Sequence, residues 1–192
     1  MEIKNEDDFL FMIYKKIKPS VVEAYPKVTE IPTRKRITPD IDLLVVDRLG
    51  QEYIIQGYEL KLLKYSKKEK IVPLTPFYTG LGEVCLLFQH GIDQAYIVIG
   101  LYNIPKELLQ KVEDKIMEIW SFITKNFYSL TQYLGIKIFR EDRDFAYPSI
   151  NPSSYFPTTS YEDTRHKREC IIRGELSWGK KWLSIRESRT KM

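Results

Sequence analysis

The chain has 192 residues, 43% of them hydrophobic and 29% charged, with a net charge of +4, a length that suits one domain with a sizeable core. No apolar run approaches a membrane span, and the opening Met1-Glu2-Ile3-Lys4-Asn5-Glu6-Asp7-Asp8 is acidic where a secretory signal is basic and then apolar, so a cytoplasmic protein with no membrane partner is expected. Cys85 and Cys170 lack metal-ligand spacing: reduced thiols are the expected state and a disulfide between them the alternative. With two histidines and no Gly-rich phosphate loop, Ser-His-Asp chemistry and nucleotide-driven motors are disfavoured.

In chain order, Phe9, Leu10, Met12, Ile13 and Ile17 follow helical spacing after an Asn5 cap, and Pro19 ends that helix. A short turn through Glu23 follows. A first strand is expected between Val28 and Ile37, with Pro32 and Arg34-Lys35-Arg36 marking part of it as edge or loop. Thr38-Pro39-Asp40-Ile41-Asp42-Leu43-Leu44-Val45-Val46 and Tyr53-Ile54-Ile55-Gln56-Gly57-Tyr58-Glu59-Leu60-Lys61 read as two strands, joined by the polar, glycine-containing turn Asp47 to Glu52. A basic linker spans Lys64 to Lys70. Gly80 to Gly91 reads as a helix with Gly91 as its stop, Ala95 to Ile99 as a buried strand, and Ile104 to Phe127 as a long amphipathic helix covering the sheet. Leu134 to Phe139 suits one more strand, and Tyr147 to Pro157 is too rich in Pro and Ser for regular structure, so it is expected to be a loop. Nothing in the chain repeats, so a second folded domain is not expected.

The two central strands carry the chemistry. Strand alternation puts Asp40 and Asp42 on one face with Ile41 and Leu43 on the other, and sets Glu59 beside Lys61. Paired as a hairpin, they bring carboxylates from one strand against a carboxylate and an ammonium from the next. Such a cluster is costly unless a cation neutralises it. Mg²⁺ or Mn²⁺ suits carboxylate oxygens and leaves room for water and a phosphate, and Lys61 is then placed to position the attacking water or offset charge on the phosphate. Glu-x-Lys alone says little, since the chain has three: Glu2-Ile3-Lys4, Glu59-Leu60-Lys61 and Glu113-Asp114-Lys115. Only the middle one follows a strand-like run beside an acidic strand.

Pro39-Asp40 (or Asp42) with Glu59-Leu60-Lys61 resembles the PD-(D/E)XK nuclease superfamily, and the chain is similar to archaeal Holliday-junction resolvases and related archaeal or archaeal-virus nucleases. The resemblance covers residues 6 to 140 and is specific around the hairpin. It implies an α/β, restriction-endonuclease-like αβββαβ core at residues 1–140, with a mixed central sheet flanked by helices and a loop and basic C-terminal extension at 141–192. It also implies a metal-dependent endonuclease hydrolysing DNA, similar to a junction resolvase and hence a homodimer in the cytoplasm, or the host cytoplasm if the chain is viral. The catalytic set it implies is Asp42, Glu59 and Lys61, with Asp40 the second choice to Asp42. The metal ligands would be Asp42 and Glu59, with Glu23 an extra ligand for which Glu6 or Glu30 are substitutes. Glu83 or Gln89 would take the supporting position that relatives give to a Gln. The alternative is a nuclease-fold DNA-binding or assembly protein without catalysis.

Arg34, Lys35, Arg36, Lys64, Lys67 and Lys68 flank the acidic strands in sequence and are the candidates for holding a nucleic-acid backbone. Residues 164 to 192 hold nine Lys or Arg against three Glu, a net +6 that leaves −2 for residues 1 to 163. With Trp178 and Trp182 this segment suits either phosphate contacts and base stacking or tryptophans packed on the core. His90 is expected at a helix end as a partly cationic complement to the dipole.

Overall fold

The computed structural model describes residues 2–32, 40–157 and 162–190. Helix α1 (Glu6–Ile17) starts where Asn5 Oδ1 accepts the Asp8 N–H at 2.9 Å, which satisfies one of the free donors of the first turn. A 3₁₀ turn at Lys18–Ser20, with Pro19 inside it, leads to β1 (Glu23–Val28). The first strand therefore lies earlier than the sequence suggests. Its Pro26 is tolerated because β1 is the edge of the sheet, and residues 33–37 of the expected strand lie outside the described residues.

Strands β2 (Ile41–Leu49) and β3 (Glu52–Leu63) form the expected hairpin, with a tighter turn than the polar run suggested: only Gly50 and Gln51 separate them, and Gly50 takes φ 64°. Helix α2 (Thr75–Leu86) and a 3₁₀ turn (Leu87–His90) precede β4 (Gln94–Leu101), and Gly91 closes the turn at φ 78°. Helices α3 (Lys106–Asn126) and α4 (Tyr128–Thr131) lead to β5 (Leu134–Arg140) and the short β6 (Ser149–Ile150). The six strands lie in the order 1-2-3-4-5-6. β1 to β3 are antiparallel, β4 and β5 run parallel to β3, and β6 is antiparallel to β5. The protein is thus α/β, with a mixed six-stranded sheet flanked by helices.

Two apolar layers sandwich the sheet. Leu44, Val46, Ile55, Ile97, Ile99 and Ile138 pack with Phe77 and Val84 of α2 and Ile116 and Trp120 of α3. On the other face Leu43, Val45, Leu60 and Val98 pack with Phe9, Leu10 and Ile13 of α1. The alternation of faces breaks at one place. Lys27 adopts φ 52°, a conformation that costs a non-glycine residue, and beyond it Val28 and its partner Ile41 join the α2–α3 layer although Leu43 belongs to the α1 layer. Ile41 and Leu43 therefore do not share a face, contrary to simple alternation.

The region after β5 is more ordered than its composition suggests. Ser153 and Ser154 donate to the Gln132 carbonyl at 2.9 Å, and Phe156 to the Asp93 carbonyl at 2.8 Å. Two helices follow, α5 (Glu162–Ile172) and α6 (Lys180–Thr190). Cys170 and Ile171 enter the α2–α3 layer and Leu183 enters the α1 layer. Trp178 meets Tyr25 edge-on at 5.7 Å between centroids, and Trp182 meets Phe11 at 6.1 Å, so the extension packs on the core.

Candidate active site

The site forms where β2 and β3 part. Their pairing ends at Leu43↔Tyr58. One step further, where the register sets Asp42 opposite Glu59, the Asp42 carboxylate itself accepts the Leu60 N–H at 2.8 Å. The side chain thereby replaces a backbone acceptor and is fixed by the sheet. The Glu59 carboxyl lies close enough to Asp42 for each to act on the other's protonation. Glu59, 5% exposed, lies 2.7 Å from the Lys61 ammonium, and Lys61 reaches on to Glu83 of α2 at 2.6 Å.

Gly80 explains how Lys61 gets there. A Cβ on Gly80 would lie 2.9 Å from Lys61 Cγ and 3.0 Å from Ile97 Cδ1, so the glycine lets α2 settle on β3 with the lysine stem running beneath it. Glu83 follows one turn later on the same helical face. Together Glu6, Asp40, Asp42, Glu59, Lys61, Glu83, Gln89 and His90 line a cavity of about 500 Å³.

Charge in this cavity is out of balance. Burial, and next the Asp42 carboxylate, push the Glu59 carboxyl up to about 9, and burial also raises Asp42. Two adjacent carboxylates out of water hold a proton that neither would hold alone. Lys61 is held protonated against its own burial by Glu59 and Glu83. At neutral pH the acid pair therefore holds a proton, which a bound cation would displace. Its donors are all oxygen, which fits a hard divalent ion. Among the described residues no three His, Cys, Asp or Glu side chains form a group able to hold a metal. Asp42 and Glu59 would therefore hold one as a pair, with water and phosphate oxygens as the remaining ligands, in the manner usual for Mg²⁺.

Of the residues singled out from sequence, Asp42, Glu59 and Lys61 are brought into contact, and Asp40 lines the same cavity. Glu23 is not brought in. It opens β1 opposite Val46 and pairs with Lys18 at 2.7 Å, because Leu43, Leu44 and Val45 separate Val46 from Asp42 along the strand. Glu30 is tied to Ser177 at 3.1 Å. Glu6, at the start of α1, is the acid that reaches the cavity from the N-terminal helix. Glu83 lies against Lys61, whereas Gln89 uses its backbone carbonyl to accept from Lys167 at 2.8 Å.

His90 differs from its expected role as a cationic helix cap. It is 6% exposed, and burial, with Lys167 nearby, lowers it to about 4, so it is neutral. Lys64 is exposed at the end of β3 beside Glu6 and Asp7, and Lys67 and Lys68 are exposed on the turn that follows. Arg34, Lys35 and Arg36 lie outside the described residues. The other Glu-x-Lys triplets have structural uses: Glu113 is buried between Arg140 and Arg143, at 3.1 and 3.0 Å, and Lys4 pairs with Glu2 at 3.0 Å.

The basic extension is largely engaged within the molecule. Arg168 pairs with Asp93 at 2.7 Å, Lys167 with Asp163 at 2.9 Å, Arg173 with Glu175 at 2.8 Å, and Arg186 with Asp7 and Asp8. Sequence reasoning missed the parts played by Gly80 and His90; the three-residue spacing of Gly80 and Glu83 was the available signal for the first. Neither a scan against protein-family models nor a search of curated proteins finds a match to this chain.

Proposed function

We propose that this protein is a divalent-metal-dependent nuclease of the PD-(D/E)XK type that hydrolyses phosphodiester bonds in DNA. The observation that carries the reading is the contact set at the parting of β2 and β3: Asp42 against Glu59, and Lys61 2.7 Å from Glu59, on the wall of a cavity. The order α1-β1-β2-β3-α2-β4 supports it, since the restriction-endonuclease-like core has this sequence of elements.

In this reading Asp42 and Glu59 hold Mg²⁺ or Mn²⁺, which supplies an activated water and a Lewis acid for the phosphate. The fixed position of Asp42, bonded to Leu60 N–H, keeps the donor pair in place without reorganisation. Lys61 orients the attacking water and offsets charge on the phosphate oxygens, while Glu83 keeps it protonated and restricts where its ammonium sits. Asp40 and Glu6 border the approach, and Lys64, Lys67 and Lys68 lie beyond β3 for backbone phosphates. A junction resolvase needs two such sites, and hence a homodimer. The proposed compartment is the cytoplasm, or the host cytoplasm for a viral chain; no described helix is long and apolar enough to cross a membrane.

A second reading, a DNA-binding or assembly protein without catalysis, is favoured by the double engagement of Lys61, whose ammonium is held by both Glu59 and Glu83. Incubating the protein with duplex, single-stranded, flapped and four-way-junction DNA, in Mg²⁺, Mn²⁺ or chelator, separates the two. Metal-dependent cleavage of any of these supports the nuclease, and binding without cleavage supports the scaffold.

A further inference from the structure

The sheet face opposite the acid cluster carries a second cavity, of about 630 Å³, where α1 stops short of covering β3, β4 and β5. That volume is in the range of small-molecule sites. Tyr58 and Tyr96 stack across its floor with centroids 4.8 Å apart and planes 10° from parallel. Tyr96 leans over Gly135, where a Cβ would lie 2.5 Å from its ring carbons, so the ring position depends on glycine there. Beside it the Lys137 ammonium sits 5.0 Å from the Tyr96 centroid.

Lys137 has an unusual charge environment. No carboxylate among the described residues lies within ion-pair distance of it, and burial lowers its ammonium below the ordinary lysine range with no acidic neighbour to offset the loss of water. The ring face of Tyr96 compensates in part. Tyr155, 47% exposed, stands at the rim. Asp47, the one acid on the wall among the described residues, is close to Tyr58. The wall that includes Tyr155 is tied to the sheet, since Gln94 Nε2 donates to the Ser154 carbonyl at 3.3 Å. Part-exposed Ile17, Val21 and Ala146 supply the apolar lining.

We propose that this cavity is a binding site for a small monocarboxylate with an apolar body, whose carboxylate pairs with Lys137 while its body lies against Ile17, Val21 and Ala146. One desolvated ammonium balances one negative charge. A phosphomonoester dianion would leave a second charge uncompensated in a partly buried site. A carboxylate also accepts a charge-assisted hydrogen bond from the lysine, and a neutral ligand would leave Lys137 as unpaired as before. The site is independent of the acid cluster, which lies on the other side of the sheet.

Benzoate and hexanoate are the probes, each titrated into the full chain and followed by the NMR signals of the Lys137 side chain. We expect saturable binding by at least one, with the Lys137 titration midpoint moved to higher pH when it is bound. Lys137→Met, which keeps the apolar stem, should weaken that binding at least tenfold, as should replacing the probe by its amide. The midpoint shift needs no variant, so the proposal stays testable if Lys137→Met does not fold. Absence of saturable binding by both probes would overturn the assignment, as would an unmoved Lys137 midpoint or equal binding to Lys137→Met. Tighter binding of phenyl phosphate or of a single-stranded oligonucleotide than of either carboxylate would equally overturn it, placing a phosphate there instead.

Discussion

Glu59 is the residue whose environment makes the sharpest demands. Its folded-state value of about 9 lies far above the roughly 4.3 of an unfolded glutamate. The folded protein therefore binds more protons than the unfolded one across the window between those values, and stability falls as pH rises through it. Glu59→Gln removes the titration. The variant should melt higher than the wild type at pH 8, by on the order of 2 kcal/mol or roughly 5 °C, and its Tm should change less between pH 5.5 and 9. Scanning calorimetry across that range checks this, and a variant that melts lower at pH 8 would show that Glu59 is ionised and well compensated. Metal and proton compete for the same pair, so Mg²⁺ should raise the wild-type Tm at pH 8 and leave that of Glu59→Gln unchanged. Gly80→Ala sets a methyl group against the Lys61 stem. In the nuclease reading it should lower cleavage at least tenfold, with the DNA dissociation constant changed by less than threefold; unaltered cleavage would mean that the lysine needs no fixed path.

At the scale of elements, the hairpin and the long helix α3 were legible because their apolar periods are long and uninterrupted, and the acid–acid–lysine group was legible because its members lie on adjacent strands of one hairpin. Residues delivered by helix packing were not. Glu6 and Glu83 reach the cavity through the seating of α1 and α2 on the sheet, which no local spacing encodes, whereas Glu23 looked equivalent to Glu6 and falls on the far part of an edge strand. The change of face at Ile41 accompanies a positive φ at Lys27 on the paired strand, which sequence gives no reason to expect. The C-terminal segment was legible as basic, with its tryptophans either stacking on bases or packed on the core, and the structure shows them packed. These tryptophans and the ion pairs give the segment a structural load: Trp182→Ala, which removes the ring facing Phe11, should cost about 2 kcal/mol, measured by denaturant unfolding. If the extension also tracks a DNA backbone, neutralising exposed Arg165 and Lys181 should lower the slope of log K against log salt by up to about 0.9 per lost duplex contact. An unchanged slope would leave it a purely structural element.

Considered as a whole, the molecule places a proton-holding acid pair and a protonated lysine on one sheet face and, in a tyrosine-floored cavity on the other, a lysine with no carboxylate partner among the described residues. Both arrangements cost stability, and a fold selected for stability alone has no need of either. The nuclease reading assigns the first to phosphodiester hydrolysis. Its most direct test is cleavage of a DNA panel by wild-type protein and by Glu59→Gln, purified alike and shown to be folded, in Mg²⁺ and in chelator. The account predicts cleavage by the wild type that needs the metal and falls at least a thousandfold in Glu59→Gln while DNA binding persists. Cleavage of equal rate in the variant, or wild-type cleavage that survives chelation, would contradict it.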